Sequence, residues 1–194
     1  MTQACGPDFK VASTTNRMSD LLSFNRIFDE VFLHKPLLEA CGQVIGQPFK
    51  LSSFLGRTLR VAACAQELHA DLPRNSHDAP LIGFILMIDP FRETNGATRF
   101  VPGSHRWPNL PSDNLLDSRS QYPGEQLACG EAGSMLVFNA AIWHGHTANR
   151  SSHERRSIQG YFIRRSVAQG FDFRSRLPDQ IMARMTPLAR YLLA

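Results

Sequence analysis

The stretch "MLVFNAAIWHGHTANRSSHERRSIQGYF", residues 135–162, decides how the chain is read. It opens on an apolar run that reads as a strand, passes His144 and His146, and closes on "RSIQGYFI" (156–163), which alternates. Successive side chains of a strand point to opposite faces. Ser157, Gln159 and Tyr161 therefore share the face of Arg155, while Ile158 and Phe162 share the other. A polar face directed inward and an apolar face covered by helices is the pattern of a jelly roll with an internal site.

The flanking sequence agrees. Short strand-like runs at 48–54, 58–68, 81–89, 97–102, 125–129, 133–139 and 156–164 alternate with turn signals such as Asn95-Gly96, Pro102-Gly103, Pro123-Gly124 and Gly130. The run "LIGFILMI" (81–88) is too short to span a bilayer and reads as a buried strand. The polar stretch 111–124 is longer than most loops and has the character of a lid. Ahead of the strands, 21–46 predicts two helices with a break near Pro36, ended by Gly42 and Gly46. Residues 1–20 read as a flexible arm, and 178–194 as a helix interrupted near Pro187. The expected organisation is a mainly β domain over 21–194, a jelly-roll or cupin-like body with N-terminal and C-terminal helices packed outside.

Composition excludes several classes. With 194 residues, 43% apolar and 20% charged, the chain has the balance of an ordinary soluble domain. Its net charge of +4 is carried by scattered Lys and Arg, so no nucleic-acid partner is expected. None of Cys5, Cys41, Cys64 and Cys129 stands in C-x-x-C spacing, which argues against a zinc knuckle. Residues 1–20 carry no apolar segment of the secretory kind, so cytoplasmic reduced thiols are expected, with Cys64 and Cys129 buried in strands. No membrane partner is expected, and the chain reads as a monomer or homodimer acting on a small-molecule substrate.

Chemistry enters at "AQELHADLPR", residues 65–74. In a strand, His69 and Asp71 would aim an imidazole and a carboxylate at one ion, with Ala70 facing away. A His-x-Asp pair alone is a weak signal and far more often belongs to an exposed loop. A second His from the distant segment, His144 or His146, changes its meaning: two His and one carboxylate form the facial triad of non-haem iron oxygenases, although zinc also accepts such a set. Arg155, directed inward, would need a carboxylate partner, and 2-oxoglutarate supplies one while its other end chelates iron.

Taken in order, "QELHAD", "FRETNGATRFVPGSHRW" (91–107) and "WHGHTANRSSHERR" (143–156) resemble the phytanoyl-CoA dioxygenase family of Fe(II)/2-oxoglutarate oxygenases. The resemblance implies a double-stranded β-helix, an iron site and a dioxygenase that uses 2-oxoglutarate and O2 and releases succinate and CO2. It implies His69, Asp71 and a distal His as ligands. The family carries an Asn and an Arg at set steps after that His. From His144 they land on Asn149 and Arg155, from His146 on Ser151 and Ser157, so His144 is the better ligand and Arg155 rather than Arg156 the co-substrate anchor. Thr98 and Gln66 are the implied further 2-oxoglutarate contacts; Gln66 reaches it only if the strand is irregular. His146 stands where relatives often have a small or hydroxyl residue that helps hold the co-substrate. The family also usually has a longer segment ahead of the first helix. Two other classes compete: a non-catalytic ligand-binding protein on the same scaffold, and a cupin-like zinc enzyme or isomerase. Among the other polar residues, His105 is expected to fix a turn, His34, His77 and His153 to be solvated, and Arg74 to lie at the rim of the site.

Overall fold

The computed structural model describes residues 15–72, 81–114, 119–168 and 170–194. Among the described residues eight strands form two antiparallel sheets. The larger runs in the order β1 (Thr15–Met18), β2 (Phe49–Leu59), β8 (Arg155–Arg164), β3 (Ile82–Met87), β6 (Met135–Asn139). The smaller runs β5 (Gln126–Ala128), β4 (Thr98–Phe100), β7 (His144–His146). Short helices α1 (Leu21–Phe24), α2 (Asp29–Phe32) and α3 (Lys35–Ile45) precede β2; α4 (Pro111–Asn114) lies between β4 and β5; α5 (Phe173–Arg176), α6 (Asp179–Arg184) and α7 (Pro187–Leu193) follow β8. No helix of the described residues is long and apolar enough to cross a membrane.

The main core lies between the helices and one face of the larger sheet. Leu37, Cys41 and Ile45 recur at four-residue spacing on α3, one stripe of a helix, and all three are buried. With Ala189, Leu192 and Leu193 of α7 they join a cluster with Leu51 and Phe54 of β2, Ile82 and Phe84 of β3, and Ile158 and Phe162 of β8. Aromatic rings run through it: Phe54 to Phe84 at 6.2 Å, Phe84 to Phe162 at 5.8 Å and Phe162 to Phe49 at 5.6 Å between centroids. Gly160 makes room for this row. A Cβ there would meet Phe84 Cζ at 2.5 Å and the Ser53 carbonyl at 2.7 Å.

Several expected boundaries move. The helix break falls near Pro36 as read, between α2 and α3; Pro36 sits in the first turn of α3, where its missing N–H is not needed, and Gly46 at φ 63, not Gly42, ends the helix. The expected strands 48–54 and 58–68 are one strand, β2, bulged between Leu51 and Ser53; past Leu59 the chain turns at Ala62 (φ 59) and runs irregularly. The end of the expected flexible arm, Thr15–Met18, is an edge strand on β2. The C-terminal segment breaks before Pro187 as read, and Thr186 caps α7 by accepting from the Ala189 N–H at 3.2 Å. Arg165 then fastens α7 to the end of β8, stacking over Tyr191 at 3.8 Å and donating to the Ala194 carbonyl at 2.9 Å. Cys129 is exposed and Cys64 is disulfide-bonded, so neither is the buried thiol expected of an apolar strand.

Candidate metal centre

The other face of the larger sheet looks across a cavity of about 240 Å³ to the smaller sheet. Cross-strand register puts Arg155, Ser157 and Gln159 of β8 opposite Leu59, Arg57 and Leu55 of β2. Gln159 also faces Ile85 of β3. The smaller sheet contributes Thr98, His144 and His146, which the register pairs Thr98 to His146.

His69 reaches this cavity because its segment pairs with the free edge of β7. His69 and His144 exchange backbone hydrogen bonds, each 2.9 Å, and the Gln66 N–H donates to the His146 carbonyl at 2.9 Å. From Gln66 to His69 is three residues, against two from His146 to His144. One extra residue is therefore accommodated, a bulge that breaks the alternation and lets Gln66 and His69 line the same cavity. Gly145 permits the approach, since a Cβ there would lie 3.0 Å from the carbonyl oxygens of both Gln66 and Glu67. Buried Arg99 holds the bulge from behind, donating to the Gln66 carbonyl at 2.8 Å and to the Ser120 carbonyl at 2.8 Å, with Glu125 Oε2 at 3.3 Å. The loop expected to be a lid is thereby tied to the sheet on its described side.

Three ligand atoms converge. His69 Nε2 lies 3.6 Å from Asp71 Oδ1, and His144 Nε2 lies 3.3 Å from Asp71 Oδ2. One donor atom from each of the three residues falls within 4.8 Å of the others. Both rings are oriented from behind: His69 Nδ1 donates to the Glu67 carbonyl and His144 Nδ1 to the Ile142 carbonyl, each at 2.9 Å. A carbonyl only accepts, so Nδ1 carries the proton and each Nε2 lone pair faces Asp71. Burial, then the neighbouring His144, holds His69 below its ordinary pKa and favours the neutral ligand form. Burial pushes the Asp71 pKa up, but the neighbouring His144 ring and the Tyr161 hydrogen bond more than offset this, and the net shift is downward. Tyr161 donates to Asp71 Oδ2 at 2.7 Å; burial and the Asp71 charge push its pKa well up, so the phenol keeps its proton. The Phe138 ring packs on His144 at 5.0 Å over Gly83, where a Cβ would be 2.4 Å from Phe138 Cζ.

At the other end stands Arg155. It is 2% exposed, its guanidinium lies over the Phe91 ring at 4.1 Å, and its Nε has no hydrogen-bond partner. Burial, then the charge of Arg57, pushes its pKa down to about 9. A buried guanidinium in this condition calls for an anion. Arg156, the alternative anchor, points to the surface instead, where its Nη2 and Nε bind Asp89 at 2.7 and 2.9 Å. His146 lines the cavity, but its Nδ1 donates to the Thr147 carbonyl at 2.9 Å, and burial first of all pushes its pKa down to about 3. Its free nitrogen accepts, so the neutral ring is a wall or an acceptor and not a donor to a carboxylate.

Asn149 turns out to be a staple. Buried, it donates to the Arg60 and His153 carbonyls at 3.0 and 2.9 Å and accepts from the Ser151 hydroxyl at 2.7 Å. Trp143 is core and Trp107 packs edge-on against it at 5.0 Å, while Arg74 and His77 lie outside the described residues. Tyr161, Arg57, Arg17, Arg99 and Gly145 had no assigned role in the sequence. Only Tyr161 carried a signal, its shared parity with Arg155.

Known proteins resemble this chain in sequence and fold. The chain is 28% identical over 193 residues to the dioxygenase aneA of Aspergillus aculeatus, covering 93% of this chain and 63% of aneA. It is 28% identical over 189 residues to the Fe(II)/2-oxoglutarate-dependent dioxygenase nvfF of Aspergillus novofumigatus, covering 91% of this chain and 60% of nvfF. The chain thus spans about three-fifths of the length of such relatives. Among solved structures, HygX of Streptomyces hygroscopicus with nickel and 2-oxoglutarate bound superposes with a TM-score of 0.69 at 20% identity, over 81% of this chain and 72% of HygX; HygX has also been solved with hygromycin B. At that identity the likeness shows the fold, two β-sheets of the cupin-like kind. The profile of the phytanoyl-CoA dioxygenase (PhyH) family matches residues 3–157, and the chain belongs to that family.

Proposed function

We propose that this chain is an Fe(II)- and 2-oxoglutarate-dependent dioxygenase that hydroxylates or otherwise oxidises a small-molecule metabolite, releasing succinate and CO2. One observation carries the reading. Two imidazole nitrogens and a carboxylate converge in a cavity that also holds the buried Arg155 guanidinium, whose Nε has no hydrogen-bond partner among the described residues. A keto acid with a second carboxylate suits both features. The two facing antiparallel sheets are read as a double-stranded β-helix.

In this reading His69, Asp71 and His144 hold the iron, which with 2-oxoglutarate and O2 supplies the oxidising chemistry. The protein's own residues bind, orient and exclude water. Arg155 takes the distal carboxylate of the co-substrate, with the Thr98 hydroxyl and the Gln66 amide as further donors. Arg57 Nη2 donates to Gln66 Oε1 at 3.4 Å, which leaves the Gln66 amide hydrogens for a ligand. His146 closes this end as an acceptor or wall. Leu55, Ile85 and Phe138 form the apolar part of the lining and keep water from the reacting atoms. Tyr161 holds Asp71 in the orientation that meets both His residues. The dioxygenase names of the relatives support the reaction class, and the hygromycin B complex of HygX supports a small molecule as substrate.

The test is anaerobic addition of Fe(II) and 2-oxoglutarate. A weak visible charge-transfer band is expected in the native protein and not in Asp71→Ala; its failure to appear in the native protein sinks the proposal. Activity supported by zinc and not by iron would point instead to a cupin-like zinc enzyme.

A further inference from the structure

The ligand segment has a second side that the metal centre does not use. His69 and Asp71 line the cavity, while Leu68 and Ala70 pack into a separate cluster with Val101, Trp143 and Tyr122. Tyr122 belongs to the loop that precedes β5, described from residue 119 to 125. The same loop reaches both residues of the bulge. Arg119 Nη2 pairs with Glu67 Oε1 at 3.1 Å, an exposed contact that contributes little by itself. The buried link is Arg99.

Arg99 stands opposite Gly145 in the β4–β7 ladder, between the pairs Thr98–His146 and Phe100–His144. Strand alternation turns it to the face away from Thr98 and His146. Gly145 has no side chain, so the guanidinium crosses over it; a Cβ there would lie 3.5 Å from Arg99 Nε. One arm of the fork, Nη2, donates to the Gln66 carbonyl at 2.8 Å. The other, Nη1, donates to the Ser120 carbonyl at 2.8 Å and to Glu125 Oε2 at 3.3 Å. Glu125 Oε2 also accepts from the Tyr122 N–H at 3.1 Å. The next carbonyl along the segment, that of Glu67, accepts from His69 Nδ1 at 2.9 Å. The Gln66 and Glu67 carbonyls belong to consecutive peptides, so fixing the first restricts the rotation left to the second.

The side chains of Arg99 and Glu125 are only 2% and 7% exposed. Replacing such a buried pair by apolar side chains of similar volume is often neutral or favourable for stability. The pair therefore calls for a reason other than stability. We propose that Arg99, with Glu125 as its counter-ion, is a positioning residue for His69: it fixes the bulge so that the Glu67 carbonyl holds the imidazole with Nε2 toward Asp71. On the function proposed above, on which this inference rests, Arg99 sets the geometry of the iron centre without touching it. Loop 119–125 is then part of the frame of that centre.

The test is titration of the metal-free protein with Co(II) alone, whose visible bands report the number and geometry of its ligands. Arg99→Met combined with Glu125→Met leaves no charge uncompensated and is expected to unfold at about the native denaturant concentration. It should bind Co(II) about tenfold more weakly, the scale of an outer partner of a metal ligand, with displaced bands. Arg99→Lys keeps Glu125 compensated but replaces the two-armed fork by one compact ammonium, and it should displace the bands in the same way. Phe162→Ala, which costs stability in the helix-facing core, should keep the native bands and separates positioning from mere loss of stability. Should the double variant not fold, Arg99→Lys decides by the same two readouts. Native bands and native Co(II) affinity in the folded Arg99 variants overturn the inference while leaving the metal centre standing. Native protein that binds no Co(II) sinks the metal centre and the positioning role together.

Discussion

The two faces of β8 contrast sharply within one strand. Ile158, Gly160 and Phe162 face the helices and sit in a dry aromatic core. Arg155, Gln159 and Tyr161 line the cavity, and buried Ser157 shares their face. Backbone hydrogen bonding is the same for both sets, so the difference lies wholly in what each side chain meets. The helix-facing side buries apolar surface and stabilises the fold. The cavity side buries the Arg155 guanidinium, whose partner in the proposed function is a bound anion, and a charge buried without one costs stability. Stability and function thus divide by parity along a single strand.

This division can be broken, beginning with the largest effect. Asp71→Ala should remove iron binding and 2-oxoglutarate-dependent succinate release by at least about a hundredfold, since even outer partners of a metal site are worth ten- to a hundredfold; metal content and succinate assay read it. Phe162→Ala, on the other face, should destabilise by about 3–5 kcal/mol through the cavity it leaves. Denaturant unfolding would show that, and any protein still folded should bind 2-oxoglutarate normally. A loss of co-substrate affinity there would contradict the separation of faces. Arg155→Met should do the reverse, weakening 2-oxoglutarate by about a hundredfold while leaving the ligand-free protein as stable or more so. A large stability loss would mean that the guanidinium serves the fold.

Smaller effects sharpen the picture around the bulge. Gly145→Ala should push the Gln66–Glu67 carbonyls away by a few tenths of an ångström and weaken iron binding with a stability cost of about 1 kcal/mol. An unchanged iron affinity would show that the bulge tolerates the shift. Tyr161→Phe should be smallest, losing one hydrogen bond to Asp71 worth about 1–2 kcal/mol, read as lower iron affinity at unchanged 2-oxoglutarate preference.

Legibility in the sequence followed the range of the interaction involved. The alternation of "RSIQGYFI" carries both faces of β8, because strand parity is a local property. His69, Asp71 and His144 come together as read, since each sits beside a recognisable apolar or turn element. Strand β7 escaped notice because three residues are too few to show a period, and the apparent strand 58–68 dissolves after Leu59. A regular strand would turn Gln66 away from His69, and the bulge opposite Gly145 brings it to the cavity.

The sequence by itself determined the family, the mainly β body, the ligand types and which of two adjacent arginines turns inward. Tertiary structure alone decided that Arg17 and Arg57 stand opposite one another, that Tyr161 meets Asp71 across ninety residues, and that Arg99 braces the ligand segment. The physical reason is register. Parity along one strand is dictated by covalent geometry, but which residue lies across the ladder depends on the bulges and turns that align distant segments.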